Sequence, residues 1–319
     1  MKYFIGVEIG PKLTQAGLVD KFGRLFARKK TQTRKDRPLE EIVKDAVDLI
    51  DSLLEDQDLD IKHIKYIGIG CPGVPDKESE NIMKNYVMGF YDAPIKEEFR
   101  KYYKKPIFIE NDANCAALAE SFVGGAEDLD YSVTLNIGTG ISGGIIIEGK
   151  IYDGYEYAGG VISHMVIDKN GPLCSCGRKG CFEMLCSETA IIKATKETAL
   201  ANPQSKIMEI CGNDINSINE LTVFQAAKLG DEVSREIVDK YIDDLADGLA
   251  NVANVLMPEV ILLCGSITSL GEELLKPVRD KMQERVFHRE ICYPDLKIAE
   301  MGSAAVLIGA AILGIDRSK

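Results

Sequence analysis

FIGVEIGPKLTQAGLVD, residues 4–20, reads as a strand, a tight glycine turn and a second strand. A turn of this kind can hold a phosphate on its backbone N–H groups. At its tip stand Pro11, which has no N–H to offer, and Lys12. From this stretch alone a phosphate loop, an altered phosphate loop and a plain hairpin are all open. The second half of the chain restarts in the same manner. YSVTLNIGTGISGGIIIEGKIYDG, residues 131–154, is again strand, glycine turn, strand, which suggests a weak internal duplication.

Between these hairpins strands alternate with helices. RPLEEIVKDAVDLIDSLLEDQ, residues 37–57, has the apolar spacing of an amphipathic helix, with Pro38 suited to its first turn. KYIGIGCPGVPD is a buried strand running into a Pro/Gly turn. KPIFIENDANCAALAESFVGGA is a short strand, a polar tip and a small-residue helix stopped at Gly124-Gly125. Helices dominate from about Ser187 to Met257, with a long one from Asp231 to Leu256. EVILLCGSI is a further buried strand, and GSAAVLIGAAILGI a closing helix. Alternation of this kind predicts an α/β architecture of two related α/β domains sharing a ligand cleft.

The 319 residues suffice for two domains, and a 45% hydrophobic content supports substantial cores. Fifty acidic against 38 basic residues give a formal charge of −12, which argues against nucleic-acid partners. The first ten residues are too short and interrupted for a signal peptide, and no apolar run reaches a membrane span. Nine cysteines, an odd number, predict reduced thiols and a cytoplasmic location.

Four constellations carry chemistry. HMVIDKNGPLCSCGRKGC supplies His164, Cys174, Cys176 and Cys181, one imidazole and three thiolates, the donor set of a closed structural Zn²⁺ site. Ordinary buried cysteines, or disulfides, are the plain alternative. ENDANCAALAE places Asn111 and Asp112 just past a strand end, where open α/β sheets put ligands. An Asp there can accept a hydroxyl proton in phosphoryl transfer. On the local residues alone, a helix N-cap is the reading that Asn111 or Asp112 favours. NIGTGISGG offers Gly138, Thr139 and Gly140 as a turn with a hydroxyl beside it, for a phosphate or for a hairpin alone. Gly265 and Ser266, after a buried strand, could let a nucleoside lie against backbone.

In this order the segments resemble the ROK family of bacterial sugar kinases and related proteins, along essentially the whole chain. CSCGRKGCFE, ENDANCAALAE and NIGTGISGG carry the resemblance. It implies an actin-like, ribonuclease-H-like fold of two α/β domains. The expected division is residues 1–117 with 301–319, and residues 118–300 with the zinc loop. It also implies phosphorylation of glucose or an N-acetylhexosamine with ATP and Mg²⁺, by a homodimer or homotetramer. The chain begins at its first strand, which resembles the kinases and not the repressors with a DNA-binding module. By motif, Asp112 would be the general base. Asn111, Glu183, Asn85 and His164 would contact sugar. Glu8, Gly10, Lys12, Gly138, Thr139, Gly140 and Gly265 would contact ATP and its metal. His164, Cys174, Cys176 and Cys181 would bind zinc and position Glu183.

Three stretches depart from the family pattern. Asp-x-Gly-Gly-Thr reads Glu8-Ile9-Gly10-Pro11-Lys12 here. Glu-x-Gly-His reads Val161-Ile162-Ser163-His164, without the carboxylate. The sugar loop Asn-Leu-Pro-Gly-Trp reads NYVMGF, with Asn85 displaced by one residue. Lys12 is expected either to reach the phosphates or to pair with Glu8 or Asp112. These departures leave a second expectation: a sugar-binding or regulatory protein of this fold without useful turnover.

Overall fold

The computed structural model of the chain describes residues 2–76, 80–85 and 88–316. The opening hairpin is β1 (Tyr3–Ile9) and β2 (Leu13–Val19), followed by β3 (Leu25–Gln32), α1 (Leu39–Asp56) and β4 (Ile64–Cys71). Three short strands come next, β5 (Val74–Pro75), β6 (Ile82–Asn85) and β7 (Phe90–Ala93). Then follow α2 (Ile95–Arg100), β8 (Ile107–Asn111) and α3 (Asp112–Val123). The second hairpin is β9 (Ser132–Ile137), β10 (Ile141–Ile147) and β11 (Lys150–Ile151). The helical run comprises α4 (Phe182–Cys186), α5 (Glu188–Ala201), α6 (Lys206–Ile210), α7 (Thr222–Lys228) and α8 (Glu232–Leu256). The chain ends in β12 (Val260–Cys264), α9 (Glu272–Arg285), β13 (Asp295–Ile298) and α10 (Ala305–Asp316).

The two main sheets repeat one plan. The first has the order β3-β2-β1-β4-β8 and the second β11-β10-β9-β12-β13. In each, a meander of three successive strands is extended by two later strands on the side of the first. This is the duplication that the two glycine hairpins suggested.

The chain divides into two compact units, residues 1–134, 144–160 and 299–319 in one, and residues 135–143 and 161–298 in the other. The expected boundary after residue 117 falls inside α3. That helix packs on α10 and stays whole in the first unit, carrying residues 118–134 with it.

In the first unit β1 and β4 alternate between two faces. Ile5, Val7 and Ile9 meet Ile42, Val43, Ala46 and Ile50 of α1 on one side. Phe4 and Tyr66 meet Leu307, Ile308 and Ala311 of α10 on the other. Each fully buried Ile or Leu contributes about 1.5–3 kcal/mol. Gly68 lets α10 lie directly on the sheet, since a Cβ there would fall 1.7 Å from the Ala310 carbonyl oxygen. The fully buried Glu120 carboxylate fixes the approach to α10, accepting the Gly125, Glu300 and Met301 N–H groups at 2.8–3.1 Å.

In the second unit α8 carries the apolar stripe, with Tyr241, Ile242, Leu245, Leu249 and Val252 buried. Its N-cap is Asp231, which accepts the Ser234 N–H, so the helix starts one residue later than the sequence suggests. The Tyr241 hydroxyl donates to the Cys186 carbonyl at 3.0 Å and ties α8 to α4, the helix that follows the cysteine loop.

Candidate active site

In the first unit β8 ends on Asn111 and α3 begins on Asp112. The capping question raised by the sequence has a definite answer. Asn111 is the N-cap, its Oδ1 accepting the N–H of Ala113 at 2.8 Å and of Asn114 at 3.3 Å. Its Nδ2 donates to the Gly73 carbonyl at 2.8 Å. Asp112 therefore occupies the first helical position. Its Oδ1 accepts the Ala113 N–H at 2.9 Å, which leaves Oδ2 free of that bond. Burial raises the Asp112 carboxyl to about 6, against the lowering effect of the backbone N–H groups. A carboxyl near neutrality is suited to accepting a proton.

Glu110, one residue before the cap, is fully buried. Its Oε1 accepts the Asn111 N–H at 2.8 Å and the Asn114 Nδ2 at 3.1 Å, and the same Nδ2 donates to Asp153 at 3.1 Å. These groups fix the strand end that aims Asp112. Asn85 is only 3% exposed, with its Nδ2 bonded to the Pro72 carbonyl and its Oδ1 accepting the Met88 N–H at 2.9 Å. Its amide thus braces the turn from which Gly73 receives Asn111, rather than projecting as a free ligand group. Tyr86 and Val87 of the same stretch lie outside the described residues.

Glu8 lies opposite Gln15 in the first hairpin. Gln15 Nε2 donates to Glu8 Oε2 at 2.5 Å and to the Ser303 carbonyl at 3.1 Å. Burial raises the Glu8 carboxyl to about 7. The Gln15 bond opposes that rise, and the charge of Asp112 adds to it. In the turn itself the Gly10 N–H is spent on the Leu13 carbonyl at 3.0 Å. Thr33 braces the turn from β3's end, its hydroxyl donating to the Gly10 carbonyl at 2.6 Å and its N–H to the Lys12 carbonyl at 3.1 Å. The expected pairing of Lys12 with Glu8 or Asp112 is not formed. Lys12 is exposed, and among the described residues no carboxylate lies within ion-pair distance of it. The brace on its own carbonyl holds the residue at the exposed tip of the turn.

In the second unit the turn 138–141 is closed by the Gly138 N–H on the Gly140 carbonyl at 2.9 Å. The Ile141 N–H donates to Glu183 Oε2 at 3.0 Å. Among the described residues the Thr139 and Gly140 N–H groups have no protein acceptor. Thr139 is exposed at the tip of this turn. Gly265 is required by close approach: its φ is +113°, and a Cβ would fall 1.9 Å from the Ile137 carbonyl oxygen. The turn is thereby pressed against the end of β12.

His164, Cys174, Cys176 and Cys181 come together, their donor atoms all within 4.8 Å of one another. Cys174 Sγ is 3.5 Å from His164 Nδ1, and Cys176 Sγ is 3.6 Å from Cys181 Sγ. Tetrahedral ligands at about 2.0–2.3 Å from one ion stand about 3.5–3.8 Å apart, so the set could hold a metal. Cys181 is followed directly by α4, whose second residue is Glu183. The cysteine loop thus sets the carboxylate that receives the Ile141 N–H. Val161, where the family pattern has a carboxylate, is 55% exposed.

Gln15, Glu110 and Asp153 were not singled out in the sequence. Gln15 alone had a legible signal, because a turn centred on Pro11-Lys12 pairs position 8 with position 15. Glu110 and Asp153 are joined through Asn114 across 43 residues of chain, which no local pattern reveals.

Comparison with known proteins covers nearly the whole chain. The ROK family model matches residues 4–317. The chain is 29% identical over 314 residues to the glucokinase of Thermotoga maritima, covering 98% of this chain and 97% of that protein. It is 30% identical over 317 residues to the xylose repressor of Bacillus subtilis, covering 98% of this chain and 77% of that protein. The crystal structure of a ROK family glucokinase from Streptomyces griseus, in complex with glucose and AMPPNP, superposes with a TM-score of 0.81. It is 28% identical, with 98% of each chain covered. With its repeated hairpins, its Asp112 helix and its cluster of one histidine and three cysteines, the chain belongs to the ROK family.

Proposed function

We propose that the chain is an ATP-dependent sugar kinase of the ROK type that phosphorylates a hexose or an N-acetylhexosamine. The observation that carries this reading is Asp112. It is held at the start of α3 by the Asn111 cap, with a carboxyl near 6 and an oxygen not used by the Ala113 N–H.

In this reading Asp112 Oδ2 accepts the proton of a sugar hydroxyl as that oxygen bonds to the γ-phosphorus and the bond to ADP breaks. Asn111, Glu183 and His164 contact the sugar. The Thr139 and Gly140 N–H groups take phosphate oxygens, with Gly138 closing the turn and Gly265 beside the nucleoside. Glu8 holds Mg²⁺, which supplies charge neutralisation on the transferred group. The Glu8 carboxyl titrates near 7, so it is partly ionised at neutral pH. His164 and the three cysteines hold a structural Zn²⁺, whose work is to fix the loop ahead of Glu183. A cytoplasmic location accords with nine cysteines that are all free. Among the described residues no helix is long and apolar enough to cross a membrane.

A second reading, a sugar-binding or regulatory member with little turnover, is favoured by the first turn. There the Gly10 N–H is committed and Pro11 has none. The deciding experiment is coupled ADP release over a panel of hexoses and N-acetylhexosamines. Turnover with at least one sugar supports the kinase. Silence across the panel, with the metal site loaded, removes it in favour of the binding protein.

A further inference from the structure

The second glycine turn has acidic neighbours that no motif announces. Glu188 is the first residue of α5, and its N–H donates to the Gly138 carbonyl at 2.8 Å. The next residue, Thr189, donates its hydroxyl to the Thr139 carbonyl at 2.6 Å. The start of α5 is therefore fastened to the two residues that lead the turn. The Glu188 Oε1 lies 3.2 Å from the Ser266 N–H and 2.5 Å from Ser266 Oγ. Glu220 Oε1 lies 2.5 Å from the same Oγ.

One hydroxyl carries one hydrogen, so it serves one carboxylate and turns a lone pair to the other. Among the described residues no Lys or Arg lies within ion-pair distance of Glu188 or Glu220. Glu183 adds a third carboxylate, on the Ile141 N–H. The turn with two unbonded N–H groups is thus tied at Gly138, Thr139 and Ile141 to segments that carry Glu183 and Glu188, with Glu220 on the Ser266 hydroxyl beside Glu188. Like charges at short range repel, and the repulsion falls with ionic strength.

We propose that Glu188 and Glu220 select against free polyphosphate at this turn, so that metal-free nucleotide binds weakly and loss of the two charges tightens it. The proposal rests on the reading of the 138–141 turn as the phosphate site. It concerns nucleotide binding, which is measured without turnover.

Calorimetric titration of metal-free ADP tests it on the whole chain, comparing the unaltered protein with Glu188→Gln and with Glu188→Gln/Glu220→Gln. Both changes keep the side-chain shape and an oxygen acceptor. Adenosine, which has no phosphate, is the control, and melting temperatures verify folding. ADP affinity is expected to rise several-fold in the single variant and about tenfold in the double. Adenosine affinity should stay within about twofold, and the gain should shrink in high salt. Equal ADP affinity in all three proteins overturns the proposal, as does an equal gain for adenosine. So does a failure of every variant to bind ADP. The kinase reading is judged apart from these results, by turnover in the sugar panel.

Discussion

Gln15 donates its side-chain amide to Glu8 at 2.5 Å across the first hairpin, and this bond opposes the rise that burial imposes on the Glu8 carboxyl. Replacing Gln15 by Leu removes the donor and leaves the burial. The Glu8 carboxyl then rises above its present value of about 7. A hydrogen bond to a charged group is worth about 1.5–3 kcal/mol, so the rise should be about one pH unit or more. If ionised Glu8 holds Mg²⁺, the acid limb of the rate profile moves to higher pH by that amount. Activity at about pH 9 should stay near that of the unaltered protein. A pH–rate profile of kcat/KM checks this, and an unmoved acid limb would separate Glu8 from the reaction.

Asp112→Asn divides activity from stability. As proton acceptor, Asp112 contributes about 10²–10⁴ to the rate, and the Asn variant should lose that factor. The Asp112 carboxyl titrates near 6 in the fold against an ordinary value of 3.8, so the folded protein binds this proton more tightly than the unfolded chain. The stabilisation from protonation is complete below about pH 4 and lost as the pH rises through about 6. Above about pH 7 the ionised side chain is a liability. An asparagine at this position never ionises, so the variant should be more stable at about pH 8 by about 1–2 kcal/mol, after allowance for solvent at this partly exposed site. The gap should close toward about pH 4. Urea melts at the two pH values measure it, and an Asn variant no more stable at the higher pH would contradict the burial argument.

The elements were legible because their causes are local. Alternating apolar residues in β1 and the helical stripe of α1 mark themselves, and the two glycine hairpins announced the repeat that the sheet orders display. The cluster around His164 was legible for the same reason, its three cysteines lying within eight residues of one another. What escaped depends on contacts between distant segments. The expected division placed 301–319 with the first domain, but α3 stays whole on α10, so residues 118–134 lie in the first unit as well. The position of Lys12 is set by Thr33 from the end of β3, so its charge alone did not show that it forms no pair with Glu8 or Asp112. Asn111 and Asp112 were both candidates for one cap, and only the Ala113 and Asn114 N–H groups, which donate to Asn111 Oδ1, assign it.

The cysteine loop offers the last test, because its metal and its influence on Glu183 can be separated. If zinc fixes the loop, a protein purified without chelator should carry about one zinc per chain. Stripping it with a strong chelator should lower the melting temperature, since metal bound only by the folded loop stabilises the fold. Cys181 is buried and directly precedes α4, so Cys181→Ser should release the metal and let the Glu183 carboxylate leave the Ile141 N–H. The expected kinetic mark is a raised KM for sugar at a melting temperature that added zinc no longer improves. Cys292→Ser is the control: the residue is exposed and outside the cluster, so its loss should change neither metal content nor KM. Full zinc retention in Cys181→Ser would mean that the metal does not depend on Cys181, and that α4 is held by the Tyr241 bond to Cys186 and the packing of Phe182 instead.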